Sequence, residues 1–193
     1  MIIKKAEFVK SFAKTDGLEK LNKTQFAFVG RSNVGKSSLL NALCNRKSLA
    51  KTSATPGRTR LINVFLVNDE FYFIDLPGYG YAKASKTEQA GWQSLIGGYL
   101  ENSQNLKLVF VLVDSRHEPT EKDLQMLQYL YAYQIPFKII ATKIDKLNKS
   151  ELNKNKTMLS SCLGVGVDDI LFVSSEKKQN IDKVLSIIED NLN

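Results

Sequence analysis

Residues 30–37 read GRSNVGKS, two glycines followed by Lys36 and Ser37, with the apolar run QFAFV directly before the loop and a stretch of helical period directly after it. No other feature limits the fold as much. Strand, tight loop and helix start must succeed one another without spare residues, which a buried strand in a helix-covered parallel sheet allows. Gly30 and Gly35 let the backbone turn its N–H groups inward, and the helix start adds partial positive charge, so the loop suits an anion such as phosphate. Arg31, Ser32, Asn33 and Val34 fill the loop. Lys36 can reach the β- and γ-phosphates of a nucleotide, and the Ser37 hydroxyl, with Ser38 behind it, can ligate Mg²⁺.

The rest of the chain supplies the sheet. Six β-rich runs, at 25–29, 61–67, 71–75, 107–113, 137–141 and 169–173, alternate with helical stretches at 36–46, 87–102, 120–133, 149–162 and 178–191. This predicts a three-layer α/β fold: a six-stranded, mostly parallel sheet with helices on both faces. Only Asn68, Asp69 and Glu70 separate the second and third runs, too few for a crossover, so one edge strand is expected to be antiparallel. Ile181, Val184, Leu185 and Ile188 make one apolar helical stripe, a core feature rather than a site. Residues 1–24 carry six lysines and are expected to be a basic, partly ordered N-terminal extension to a single domain at 25–193.

Three further segments complete a nucleotide site. DLPG at 75–78 ends the third run, thirty-eight residues after Ser37. Asp75 can hold Mg²⁺ through water, Gly78 can give its N–H to a γ-phosphate, and Leu76 and Pro77 lie between them. TSATPGRTR at 52–60 is rich in hydroxyls and turn formers; Gly57, Arg58, Thr59, Arg60 and the following Leu61 are expected near the phosphates, with Thr59 a further Mg²⁺ ligand. TKID at 142–145 follows the fifth run. Asp145 can accept both the N1 hydrogen and the exocyclic amine of guanine, a pairing adenine lacks, while the Lys143 stem covers the base. Thr142 and Ile144 complete that segment. Val173, Ser174 and Ser175 follow the sixth run and are expected to offer backbone N–H groups to guanine O6, or else to form an ordinary turn before the last helix.

The formal net charge is +7, and residues 31–68 hold seven basic side chains and no acidic one. Clustered cations gain by displacing counterions from polyphosphates, so a nucleic-acid partner and a merely solvated face both remain open. No apolar run approaches the roughly 20 residues that span a bilayer, and charges occupy the start of the chain, so a cytoplasmic location is expected. Cys44 and Cys162 lack metal-ligand spacing and read as buried or half-buried thiols. His117, the single histidine, has no acid, thiol or serine in a recognisable arrangement with it.

Taken in order, GRSNVGKSSLLNAL, TPGRTR, FYFIDLPGYGYAKAS, VDSRHEPTEKDLQM and TKIDKL resemble the EngB (YihA/YsxC) family of bacterial GTPases, within the group that includes TrmE, Era and septins. The resemblance runs the whole length of the chain, and Thr142, where many GTPases have Asn, is usual there. It implies a P-loop NTPase fold with a Ras-like G domain, binding of GTP and GDP with Mg²⁺, and a switch in assembly of the large ribosomal subunit that is needed for cell division and septation; a monomer is the default expectation. The other class of reading is a switch acting on a division or membrane-surface protein without ribosome binding. Ras-like proteins orient the attacking water with a Gln after the DxxG glycine; here Tyr79 stands there. Slow hydrolysis is therefore expected, carried by Lys36, Thr59 and Gly78, with a K⁺ ion held by Asn33 and the loop before Thr59. The segment at 79–92 is expected to be a second switch, its Tyr79, Tyr81 and Trp92 either packing or stacking on RNA bases or a protein partner.

Overall fold

The computed structural model describes residues 1–50, 61–79 and 94–192, together with the backbone course of 86–93. Its sheet has the strands β1 (Ala6–Phe12), β2 (Gln25–Gly30), β3 (Ile62–Val67), β4 (Phe71–Asp75), β5 (Leu106–Asp114), β6 (Phe137–Thr142) and β7 (Ile170–Phe172). The spatial order is β1-β3-β4-β2-β5-β6-β7. The helices are α1 (Lys36–Leu43), α2 (Lys86–Asn102), α3 (Glu121–Ala132), α4 (Lys149–Leu163) and α5 (Ile181–Asp190). One apolar core joins α2, α3 and α4 to one face of the sheet, and a second joins α1 and α5 to the other. The expected three-layer α/β architecture is thus the one the chain adopts.

Two expectations are corrected. Among the described residues the sheet has seven strands rather than six, because Ala6–Phe12, within the segment expected as an extension, pairs antiparallel with β3. The antiparallel strand β3 consequently lies inside the sheet and not at its edge. The sequence conceals β1 for a physical reason. Only Ala6 of its seven residues is buried, and a bulge between Phe8 and Lys10 interrupts the alternation. An edge strand that faces water on both sides has no period-2 apolar signal, and lysines and bulges are what such edges carry.

β2 forms the axis of the molecule. All six of its residues are buried, with β4 parallel on one side and β5 parallel on the other. The strand order reverses at β2, and in open α/β sheets the crevice beyond the carboxyl ends of the strands at such a point is where ligands bind. Behind it lies an aromatic cluster. Phe28 stacks on Phe110 at 5.0 Å between centroids and meets Phe73 edge-on at 5.0 Å, while Phe26 meets Phe71 edge-on at 5.6 Å. Geometries of this kind satisfy the ring quadrupoles in addition to the burial of apolar area.

The helix stripe Ile181, Val184 and Ile188 is buried against the sheet as its spacing predicts. Cys44 is buried and its thiol is pushed up to about 12 by burial. Cys162, in contrast to the expectation, is exposed on α4.

Phe110 is fully buried and touches rings from two neighbours in this cluster. Phe110→Ala is expected to cost about 3–5 kcal/mol of unfolding free energy, measured as a lower urea midpoint with an unchanged slope.

Candidate functional site

The loop at 30–37 begins where β2 ends. A Cβ on Gly30 would lie 2.8 Å from the Leu112 carbonyl oxygen of β5 and 2.9 Å from the Val34 side chain, so only glycine fits between strand and loop. Asn33 and Gly35 take left-handed backbone conformations, φ 64° and 103°. The two turns carry the chain round to α1, which starts at Lys36. Gly35 caps that helix without a side-chain bond, and its first turn holds no acid. The helix start keeps its N–H groups and its partial charge for an anion.

The DLPG segment is stitched to this loop through the backbone. Leu76 donates its N–H to the Phe28 carbonyl at 3.0 Å, Tyr79 donates to the Gly30 carbonyl at 3.3 Å, and Ser32 donates to the Tyr79 carbonyl at 3.1 Å. A Cβ on Gly78 would lie 3.2 to 3.3 Å from the nitrogen, Cα and hydroxyl of Ser32. Asp75, almost wholly buried, forms an ion pair with Lys36 and accepts from the Asn63 side chain at 3.3 Å. Ser37 lies beside Lys36 in the first turn of α1. The Ser37 hydroxyl and the buried Asp75 carboxylate are oxygen ligands of the kind that fits Mg²⁺, which takes one or two protein ligands and completes its octahedron with phosphates and water, while the N–H groups of the loop suit the phosphates themselves. Among the described residues no cluster of three or more His, Cys, Asp or Glu could cage a metal by itself.

Tyr79, expected either to pack or to stack on RNA, packs. Its ring lies against the core, and its hydroxyl donates to Asp123 at 2.9 Å. Burial first, and the Asp123 carboxylate second, push the Tyr79 phenol well above its ordinary range. It therefore stays a donor.

TKID is tied to the loop at 30–37 at two points. The buried Thr142 hydroxyl lies 2.6 Å from the Val34 carbonyl and 3.1 Å from that of Val113, and Lys143 donates to the Asn33 carbonyl at 2.6 Å. Lys143 also pairs with Asp114 at 2.9 Å, and Arg116 donates to both oxygens of the same carboxylate at 2.9 and 2.8 Å. Burial alone would raise the Asp114 carboxyl, but Arg116 and Lys143 outweigh it and hold it well below the usual range. The Asp145 side chain is 5% exposed. Its Oδ1 accepts from Ser174 at 2.6 Å, and its Oδ2 lies 3.2 Å from the Lys146 ammonium. Burial acts upward here too, yet the Ser174 and Lys146 contacts leave the carboxyl below its ordinary value.

Of the two readings of residues 173–175, Val173 and Ser174 follow the ordinary turn. The N–H groups of Val173 and Ser174 are committed inside the chain, to the carbonyls of Ala141 and Gln179. Ser174 contributes its hydroxyl to the site instead, bonding Asp145 while accepting from the Lys177 N–H at 3.0 Å. Gly57, Arg58, Thr59, Arg60, Tyr81 and the side chain of Trp92 lie outside the described residues. Leu61 is half-buried just before β3, and His117 is exposed in the turn after β5. Sequence reasoning missed the roles of Asp114, Arg116 and Asn63. Asp114 meets Lys143 because the register of β5 and β6 sets Asp114 opposite Thr142, and no one-dimensional pattern carries that register.

A phosphate-type loop at the end of the central strand, a buried carboxylate beside its lysine and a TKID loop bonded to it define the class of the P-loop GTPases. The family model described as "50S ribosome-binding GTPase" matches residues 25–143. The chain is 50% identical to the "Probable GTP-binding protein EngB" of Clostridium kluyveri, over 98% of this chain and 96% of that protein. It is 49% identical to the protein of the same name from Fusobacterium nucleatum, over the full length of both. Among solved structures it is similar to a probable GTP-binding protein engB, with a TM-score of 0.72 at 24% identity over 88% of this chain and 98% of that one. Aquifex aeolicus Era shares the fold at a TM-score of 0.67 and 24% identity, over 88% of this chain and 56% of that one. The chain belongs to the EngB family of GTP-binding proteins, and it is a GTPase.

The Asp114 contacts carry a pH signature. A carboxyl lowered in the fold stabilises above its unfolded value, near 3.9, and loses that contribution as pH falls through its folded value. Asp114→Asn is expected to cost about 2 kcal/mol at pH 7, with the difference from wild type shrinking below about pH 4 in acid unfolding curves.

Proposed function

We propose that the chain is a GTP/GDP switch whose nucleotide lies across the carboxyl end of β2, and that it acts on the large ribosomal subunit. The observation that carries the nucleotide reading is the bonding of TKID to the phosphate loop by Thr142 and Lys143. Those contacts fix the distance between a base pocket and a phosphate pocket. In this reading the N–H groups of residues 30–37 and the Lys36 ammonium hold the β- and γ-phosphates. Ser37, Asp75 and Thr59 hold Mg²⁺, which supplies charge to offset that developing on the phosphates. Asp145, kept ionised and fixed by Ser174, accepts the two guanine donors, and Lys143 lies along the base. With the Val173 and Ser174 amides committed elsewhere, the O6 contact falls to the Ser175 N–H.

Hydrolysis then depends on placing groups around the γ-phosphate, with Lys36, Thr59 and the Gly78 N–H as its donors and ligands. A tyrosine hydroxyl bonded to Asp123 orients no water at that position, and turnover by the isolated protein is slow. Asn33, exposed on a left-handed turn, is placed to help hold a K⁺ ion beside the phosphates. Ribosome binding is supported by the description of the matching family model and by the +7 charge. Among the described residues 31–50, Arg31, Lys36, Arg46 and Lys47 have no acidic neighbour in sequence. No helix among the described residues is long and apolar enough to cross a membrane. Assembly of the large subunit in the cytoplasm, and through it normal division and septation, is the process that fits best.

The decisive experiment has two arms. Fluorescent GDP is expected to be displaced by GTP and not by ATP, and Asp145→Asn to transfer preference to xanthosine nucleotides by a factor of about 10⁴ or more; equal competition by ATP overturns the guanine reading. Co-sedimentation with large ribosomal subunits is expected to require GTP and to fall steeply with salt. Its absence at low salt would transfer the role to a division or membrane-surface protein.

A further inference from the structure

Tyr79 is a residue at which three elements meet. Its backbone is bonded on both sides to the phosphate loop, accepting from the Ser32 N–H and donating to the Gly30 carbonyl, in a parallel bridge with Arg31. It follows Gly78 directly in the chain. Its side chain leaves that loop altogether and ends on Asp123, in the first turn of α3. Asp123 is 2% exposed and fully engaged. Its Oδ2 accepts from the Thr120 N–H at 2.8 Å and the Thr120 hydroxyl at 2.7 Å, while Oδ1 takes the Tyr79 hydroxyl. A buried carboxylate bonded three times at a helix start is a rigid anchor. The bond to Tyr79 is the one of the three that does not serve the helix cap.

Consecutive Cα atoms are held about 3.8 Å apart, so Gly78 cannot shift relative to the phosphate loop without dragging Tyr79. Tyr79 in turn cannot shift without breaking its bond to Asp123 or moving the start of α3. We propose that Tyr79 is a positioning residue for the γ-phosphate: latched to Asp123, it fixes the Gly78 amide against the phosphate loop and so couples the phosphate site to α3. The proposal rests on the reading that Gly78 faces the γ-phosphate. It gives the residue that replaces glutamine a task of its own. A donor amide held in place in advance binds its acceptor without the cost of being ordered at that moment. The latch therefore favours triphosphate over diphosphate, because GDP has no group at that amide. It also makes α3 the helix whose first turn responds to the nucleotide.

The test is a displacement titration of fluorescent GDP by GDP and by a non-hydrolysable imido analogue of GTP. Wild type, Tyr79→Phe and Thr120→Ala are compared, with a melting temperature for each. Tyr79→Phe keeps the ring and removes the bond; it is expected to weaken the triphosphate analogue about tenfold, the loss of one hydrogen bond to a charged acceptor, and to leave GDP within about twofold. Thr120→Ala removes a cap bond and not the latch. It is expected to lower the melting temperature with the ratio of the two affinities unchanged. If Tyr79→Phe moved neither affinity, or both equally, the latch would be overturned. The same holds if Thr120→Ala moved the ratio as far as Tyr79→Phe, since the helix cap would then be the cause. A wild type that bound neither guanine nucleotide would remove the nucleotide reading, and the latch with it.

Discussion

The bond from the Thr142 hydroxyl to the Val34 carbonyl joins loops 108 residues apart in the chain, and the rest of the site is arranged around that junction. With Lys143 bonded to the Asn33 carbonyl, it holds two loops from non-neighbouring strands at one separation. β5 lies between those strands and supplies Asp114, which anchors Lys143 from the other side. A hydroxyl or ammonium spent on a carbonyl is individually a modest contribution to stability, about 1 kcal/mol net for a neutral pair. Its larger effect is geometric. It converts two surface loops into one binding surface with a fixed span.

The sheet bears the load behind that surface. β2 is buried along its whole length, and its end leaves so little room that a methyl group at Gly30 would strike β5. The aromatic cluster of Phe26, Phe28, Phe71, Phe73 and Phe110 fills the side beneath α1 and α5. Dense packing of this kind resists small displacements. The phosphate loop is consequently built on a rigid floor, and Tyr79 ties it to the start of α3. The charges follow the same plan. Asp75 pairs with Lys36, Asp114 with Lys143 and Arg116, and Asp145 with Lys146 and Ser174. The Asp114 and Asp145 carboxyls are both held below their ordinary range by partners within reach, and an ionised Asp145 is what the binding of guanine donors requires.

Much of this was legible in the sequence, because its signals are local. GRSNVGKS needs only neighbours in the chain to make its turn, since Asn33, Gly35 and the start of α1 act over a few residues, while Gly30 is held to glycine by β5 as well. The α5 stripe and five of the sheet's parallel strands follow from periodicity and apolar runs, which report burial directly. β1 was not legible, since a strand exposed on both faces leaves no periodic trace. The sequence left the backbone roles of Val173 and Ser174 open between two readings, because the destination of an N–H depends on the strand or turn that receives it, here Ala141 and Gln179, and not on the residue that carries it.

The chain by itself determined which chemistries meet: a phosphate loop, a carboxylate ending a strand, and an aspartate suited to guanine. It could do so because each motif is made by contiguous residues whose conformations are fixed by glycine, by helix starts and by strand ends. Only the tertiary structure decided how those motifs are held. The placing of Asp114 beside Lys143, of Ser174 on Asp145 and of Tyr79 on Asp123 comes from strand order, register and helix packing. Those depend on contacts between residues 29 to 44 positions apart, where spacing along the chain no longer sets distance in space.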